Sequence, residues 1–162
     1  MTKLPILHAE DEEHDVLFLE IAFQAAGITC PIQVVRDGQE AIDYLSGTGQ
    51  FCDRERFPLP CLILLDLKMP RRNGMEVLQW LRQESGLPCL PVIVFTSSNR
   101  VEDVELAYRL GANSFVAKPS GIEERADFAR CIKDYWLRFH QRPPILCRTE
   151  TGSAAATHLR SA

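Results

Sequence analysis

The chain has little of what several functional classes require. Basic charge is scarce: 18 Lys and Arg stand against 22 Asp and Glu in 162 residues, a formal net charge of −4. Nucleic-acid binding needs a basic patch or stripe, so this balance argues against that class of partner. No apolar run reaches the roughly 20 residues of a membrane-spanning helix. The start of the chain leads into a strand pattern without the basic region and apolar core of a secretory signal. Cysteines number six, at 30, 52, 61, 89, 131 and 147. They are scattered, with no close pair of the metal-binding kind, and read as buried free thiols rather than a disulfide framework. No internal repeat is visible. Together these absences indicate a cytoplasmic protein with one core, for which a hydrophobic content of 46% is ample. The expected domain covers 1–142. Pro143 and Pro144 stop its last helix, and residues 143–162, with GlySerAlaAlaAlaThr at 152–157, read as a flexible tail too short for a DNA-binding output domain.

What is present is a set of polar residues at strand ends. The most apolar stretch, CysLeuIleLeuLeuAsp at 61–66, ends in a carboxylate. Such a run is a strand covered on both faces, and ligands of open α/β sheets bind just beyond the carboxyl ends of such strands. Asp66 then faces that crevice, although an Asp after a strand also starts turns, which Pro70 and Gly74 allow. LeuProIleLeu at 4–7 leads through HisAlaGluAspGluGluHisAsp at 8–15 into a helical pattern at 16–23. Glu12, Glu13 and Asp15 suit a first helical turn, where the backbone dipole favours acids. Glu10 and Asp11 come earlier and converge with Asp66 if the two strands are parallel neighbours. Three such carboxylates suit a hard cation, of which Mg²⁺ commonly works beside phosphate. ProValIleValPheThrSerSerAsn at 91–99 ends a strand at Thr96, with Ser98 or Asn99 placed to cap the next helix and Thr96 left for a ligand oxygen. AlaAsnSerPheValAlaLysProSer at 112–120 ends another at Lys118, a cation able to reach an anion. Pro119 follows, and its peptide bond is open to a cis form.

This alternating series, with Glu10 and Asp11, Asp66, Thr96 and Lys118 at successive strand ends, resembles the receiver domain of two-component response regulators. LeuIleLeuLeuAspLeuLysMetPro with Gly74 is similar to that family's phosphoacceptor strand and loop. ThrSerSer and PheValAlaLysPro are similar to its fourth and fifth strand ends. The resemblance implies an α/β, flavodoxin-like (βα)5 doubly wound parallel sheet with strand order 2-1-3-4-5. It implies that Asp66 is the phosphoacceptor and that Glu10, Asp11 and Asp66 bind Mg²⁺ together with the backbone carbonyl of Lys68. It further implies that Thr96 and Lys118 hold the phosphoryl oxygens, and that Thr96 and Phe115 form a switch in which Phe115 lacks a tyrosine's hydroxyl. Phosphoryl transfer needs positioning and charge neutralisation more than covalent help, which such a residue set supplies.

Two segments depart from a minimal receiver. The helix expected at about 37–47 precedes a loop, ThrGlyGlnPheCysAspArgGluArgPheProLeuPro, longer than α/β connections usually are. With LeuLysMetProArgArgAsnGly it resembles the small stand-alone regulators associated with phytochromes, which implies a bacteriophytochrome histidine kinase as partner. The final helix, roughly 121–141, carries Phe128, Ile132, Tyr135, Trp136 and Phe139 at helical spacing. Related regulators dimerise through the fourth and fifth helices and the fifth strand, so Trp136 and Phe139 are candidates for a homodimer interface. A phosphatase of the haloacid-dehalogenase type needs a second acid two residues after its nucleophile, and position 68 is Lys. The expectation is therefore a phosphoacceptor with at most slow self-phosphorylation and self-dephosphorylation, read by a downstream target or by a histidine phosphotransfer protein. A degenerate receiver acting as a constitutive binding module would lack a site residue, and none is missing.

Overall fold

The structure, a computed structural model, describes residues 4–141. Its strands are β1 (Ile6–Ala9), β2 (Ile32–Val35), β3 (Leu62–Leu65), β4 (Val92–Thr96) and β5 (Ser114–Ala117). All pairings are parallel, in the order β2-β1-β3-β4-β5, the flavodoxin-like order expected. Every residue of β1, β3 and β4 is buried, as befits interior strands covered on both faces, while β2 and β5 form the partly exposed edges.

Alternate strand residues feed two core layers. Leu7, Ala9, Ile63, Leu65, Val92 and Val94 meet α2 (Gly38–Ser46), α3 (Gly74–Gln83) and α4 (Val101–Arg109) on one face. Ile6, Leu62, Leu64, Ile93 and Phe95 meet α1 (Glu13–Ala25) and α5 (Ile122–Cys131) on the other. Local chemistry sets the helix ends. Asp37 caps α2 by accepting the Glu40 N–H at 2.8 Å, and Gly47 at φ 71° ends that helix in a left-handed conformation. Asn73 and Glu76 form a reciprocal capping box at the start of α3.

The long connection after α2 is not loose. It forms one tight turn at Gly49–Phe51 and inserts Phe51 and Phe57 edge-on against Tyr44 and each other. The Arg54 guanidinium donates to the carbonyls of Tyr44 (2.8 Å), Leu45 (2.7 Å) and Phe57 (3.2 Å), and Tyr44 OH donates to Pro58 O (2.8 Å). The last-turn carbonyl of Leu45 thereby finds a donor, and that of Tyr44 a second one beside the Gly47 N–H.

Two expectations, the cap of α4 and the burial of the cysteines, need correction. Ser98 and Asn99 do not cap α4: Arg100 occupies that position without a side-chain cap, because Ser98 turns to donate to Asp103 at 2.5 Å. Of the five cysteines in the described region only Cys61 is buried; Cys52, Cys89 and Cys131 are exposed and Cys30 is intermediate, because they lie on connections and on an outer helix face. The Lys118–Pro119 bond is trans. The last helix is not uniform: after Cys131 it widens over Ile132–Phe139. The larger turn puts Ile132, Trp136 and Leu137 together against the sheet layer. Trp136 thus packs inward, whereas Phe139 is 62% exposed. The expected stop at Pro143 and Pro144, the tail and Cys147 lie outside the described residues.

Candidate functional site

Strand register brings the polar strand ends together. Ala9 pairs with Leu65, so the next residues, Glu10 and Asp66, emerge side by side where the chain leaves β1 and β3 in opposite directions. The Asp66 N–H donates to Ala9 O at 3.0 Å and the Glu10 N–H to Val35 O at 2.9 Å, extending the ladders past the strands. On the far side Thr96 pairs with Ala117, and the Lys118 N–H donates to Thr96 O at 2.7 Å. This is the crevice at the topological switch point of a doubly wound sheet.

The side chains converge on Lys118. Its Nζ lies 2.5 Å from Glu10 Oε2, 2.8 Å from Asp66 Oδ2 and 2.8 Å from Asp15 Oδ2. Glu10, Asp66 and Thr96 are buried, which makes their charges and hydroxyl costly unless they work in partnership. Burial pushes the Glu10 carboxyl up to about 7, against the opposing pull of Lys118. For Lys118, burial favours loss of the proton, but the bonds to Asp15, Asp66 and Glu10 outweigh it and hold the ammonium above its ordinary range. His8 lies beneath, on β1, and burial followed by the charge of Lys118 lowers it to about 3, so its ring is neutral.

One oxygen from each of Glu10, Asp11 and Asp66 lies within 4.8 Å of the others. Asp11 is exposed, which leaves one side of the cluster open to solvent. An all-oxygen, carboxylate-rich set of this kind suits a hard divalent cation and not a soft one. The loop after Asp66 is held tightly: the Lys68 N–H faces Asp66 Oδ1 at 3.3 Å, the Gly74 N–H donates to Leu67 O at 3.0 Å, and a Cβ on Gly74 would run into the Asp66 carbonyl.

The remaining predicted residues are placed as follows. Thr96 is buried beside the crevice, with Oγ1 3.4 Å from the Ser98 N–H. Phe115 packs partly buried on the α2/α3/α4 face, and its N–H donates to the hydroxyl of Tyr108 on α4 at 3.2 Å. Trp136 and Phe139 lie away from the crevice, on the last helix. Asp15 was not foreseen as a site residue. Its place in a first helical turn accounted for it fully, and no local signal points to a lysine 103 positions away. Arg71 was also missed: at φ 62° it pairs with Asp37, with distances of 2.8 and 2.7 Å to Oδ2.

Comparison with known proteins agrees with this geometry. The response regulator receiver domain model matches residues 6–128. Among curated relatives, the probable methanogenesis regulatory protein FilR2 of Methanothrix harundinacea is 35% identical over 141 residues, 85% of this chain and 86% of its own length. Response regulator Rcp1 of Synechocystis is 32% identical, covering 82% of this chain and 88% of its own length. The Mn²⁺-bound form of Rcp1 superposes with a TM-score of 0.77 at 30% identity, covering 87% of this chain and 99% of that one. Response regulator RPA3017, in red light signaling of R. palustris, superposes with a TM-score of 0.82 at 33% identity over the same shares. The chain belongs to the response regulator receiver family, and its near neighbours include stand-alone phytochrome-associated regulators. Receivers are phosphoacceptors rather than true enzymes.

Proposed function

On the premise of a receiver domain, we propose that this protein accepts a phosphoryl group from a histidine kinase onto Asp66 and signals through phosphorylation-dependent protein binding. In this reading an Asp66 carboxylate oxygen attacks the phosphorus of a phosphohistidine. The new O–P bond forms as the P–N bond breaks, and the leaving imidazole nitrogen takes up a proton from solvent. Glu10, Asp11, Asp66 and the backbone carbonyl of Lys68 hold Mg²⁺. When bound, Mg²⁺ supplies positive charge that opposes the charge gathered on the transferring oxygens. Lys118 supplies the second positive charge, and the Thr96 hydroxyl donates to a phosphoryl oxygen. The observation that carries this reading is the convergence of Asp66, buried Glu10 and the Lys118 ammonium, 2.8 Å from Asp66 Oδ2, at the switch point of the sheet.

Phosphorylation replaces one negative charge by a larger one with several strong acceptors. Thr96 and Phe115 relay that change toward α4 and β5. There the described surface exposes Val101, Leu106 and Tyr108, which suit a protein target or a second copy of the chain, with Phe139 as the exposed interface residue of the last helix. No described helix is long and apolar enough to cross a membrane, and we place the protein in the cytoplasm. The partner kinase is a bacteriophytochrome, supported by the likeness to RPA3017, whose role is in red light signaling. The likeness to FilR2, a probable methanogenesis regulator, favours as a second reading a kinase with another stimulus.

Intact mass after incubation with a small phosphodonor and Mg²⁺ tests the core of this proposal. A single Mg²⁺-dependent phosphoryl adduct on the wild type, absent in Asp66→Asn, is expected. An adduct that persists in Asp66→Asn refutes Asp66 as acceptor, and donor consumption at high turnover refutes the non-enzymatic reading.

A further inference from the structure

Three carboxylates share the Lys118 ammonium, and they are not equivalent. Glu10 and Asp66 belong to the three-acid cluster with Asp11, whereas Asp15 stands outside it. A divalent cation held by the cluster therefore contends with Lys118 for two of its three partners, and two cations at such range repel. Yet the site needs both positive charges beside Asp66 at once.

The backbone around Lys118 is fixed, by its own N–H on Thr96 O (2.7 Å) and by Arg125 Nε on the Pro119 carbonyl (3.1 Å). Its ammonium can thus relocate only by side-chain rotation. Among the described residues Asp15 is the one carboxylate touching Lys118 that the cluster does not use. Asp15 is itself positioned by α1, which packs through Leu19 and Ala22 against Ala129 of α5 and Ile132 of the widened turn that follows it, so the distance between β5 and the first turn of α1 is set by the core.

We infer that Asp15 is a positioning residue: it retains Lys118 beside Asp66 while Glu10 and Asp66 turn to the divalent cation, letting the two positive charges coexist. This rests on the reading of Glu10, Asp11 and Asp66 as metal ligands and of Asp66 as phosphoacceptor. Without Asp15, Lys118 has only the cluster's own carboxylates to pair with, and competition with the cation sharpens.

A double-mutant cycle on the full chain tests this, with Mg²⁺ affinity read by calorimetric titration. Asp15→Asn is expected to weaken Mg²⁺ binding by about tenfold in the wild-type background, and by less than about twofold in Lys118→Met, because the effect passes through Lys118. Lys118→Gln replaces Lys118→Met if the latter does not fold. An equal loss in both backgrounds overturns the inference and reduces Asp15 to a contributor to the local field. No loss in either background overturns it too. With a small phosphodonor at saturating Mg²⁺, Asp15→Asn is expected to slow Asp66 phosphorylation while Asp15→Glu restores most of the rate. Wild type that binds Mg²⁺ but gains no phosphoryl group refutes the phosphoacceptor reading alone, since the Asp15 cycle is read from the metal titration.

Discussion

Both ends of α2 are clasped by an arginine, and the two clasps differ in kind. At the carboxyl end of the helix, Arg54 donates to three main-chain carbonyls under a cover of aromatic rings. At the amino end, beside the crevice, Arg71 reaches Asp37 as an ion pair, from a left-handed backbone and with its side chain 58% exposed. Hydrogen bonds from a charged group to main-chain carbonyls are worth more than an exposed ion pair. The contrast extends to the whole sheet. Its amino-terminal end carries a loop tied down by Arg54 and the Tyr44 hydroxyl on main-chain carbonyls, whereas its carboxyl-terminal end buries Glu10 and Asp66 around one lysine and leaves both ring nitrogens of His8 without a hydrogen-bond partner. One end is built for stability, and the other holds charge in place for use.

The largest effect is expected at the first clasp. Arg54→Ala should cost about 3 kcal/mol in urea unfolding, by removing three charge-assisted bonds, those to the Leu45 and Phe57 carbonyls and the one that the Tyr44 carbonyl accepts beside the Gly47 N–H, while Mg²⁺ titration is unchanged. If metal affinity falls with stability, the two ends are not independent. The opposite pairing is expected for Glu10→Gln, which should raise stability at pH 8 by about 1 kcal/mol or more, since a buried carboxylate kept from its proton is removed. The same variant should lose most of its Mg²⁺ affinity.

The dependence on pH sharpens this further. Glu10 rises from 4.5 to about 7 on folding, so the folded chain binds its proton more tightly and this contribution to stability is lost as pH climbs through that window. His8 falls from 6.5 to about 3, so its contribution is present above 6.5 and lost as pH falls. Between 4.5 and 6.5 the two slopes oppose each other. His8→Leu should leave stability falling with rising pH there, and Glu10→Gln should leave it rising. Equal slopes in both variants would show that the two groups do not titrate as described.

Smaller effects remain. Tyr44→Phe, which deletes the bond to Pro58 O, should cost about 1 kcal/mol in the same unfolding assay. Arg71→Ala should cost only a few tenths to about 1 kcal/mol, as exposed ion pairs do. Arg71→Gly should cost less than Arg71→Ala, because glycine adopts the left-handed conformation freely. A loss at Arg71 as large as that at Arg54 would erase the distinction between the clasps.

Much of this molecule is legible along the chain, because its elements are local in origin. Apolar runs of strand length, a capping Asp37, and Asn73 with Glu76 each specify an element within a few residues. The polar strand ends follow from where the apolar runs stop, and the strand order from the family pattern. The cap of α4 is not legible in the same way, because the Ser98 hydroxyl has both the Arg100 N–H and Asp103 within reach and bonds closely to Asp103.

The sequence by itself determined the alternating strands and helices and the set of polar residues at the strand ends, because burial on both faces and the period of the helices are written into neighbouring residues; the doubly wound order came from the family resemblance. Only the tertiary structure decided which of the first-turn acids of α1 meets Lys118, that Arg71 reaches back to Asp37, and that a tyrosine hydroxyl from α4 meets the backbone of Phe115. The first two depend on the distance and rotation between elements far apart in the chain, and the third on how α4 turns back onto the neighbouring β5; all are set by how the core layers pack and not by any pattern that a local stretch of residues can carry.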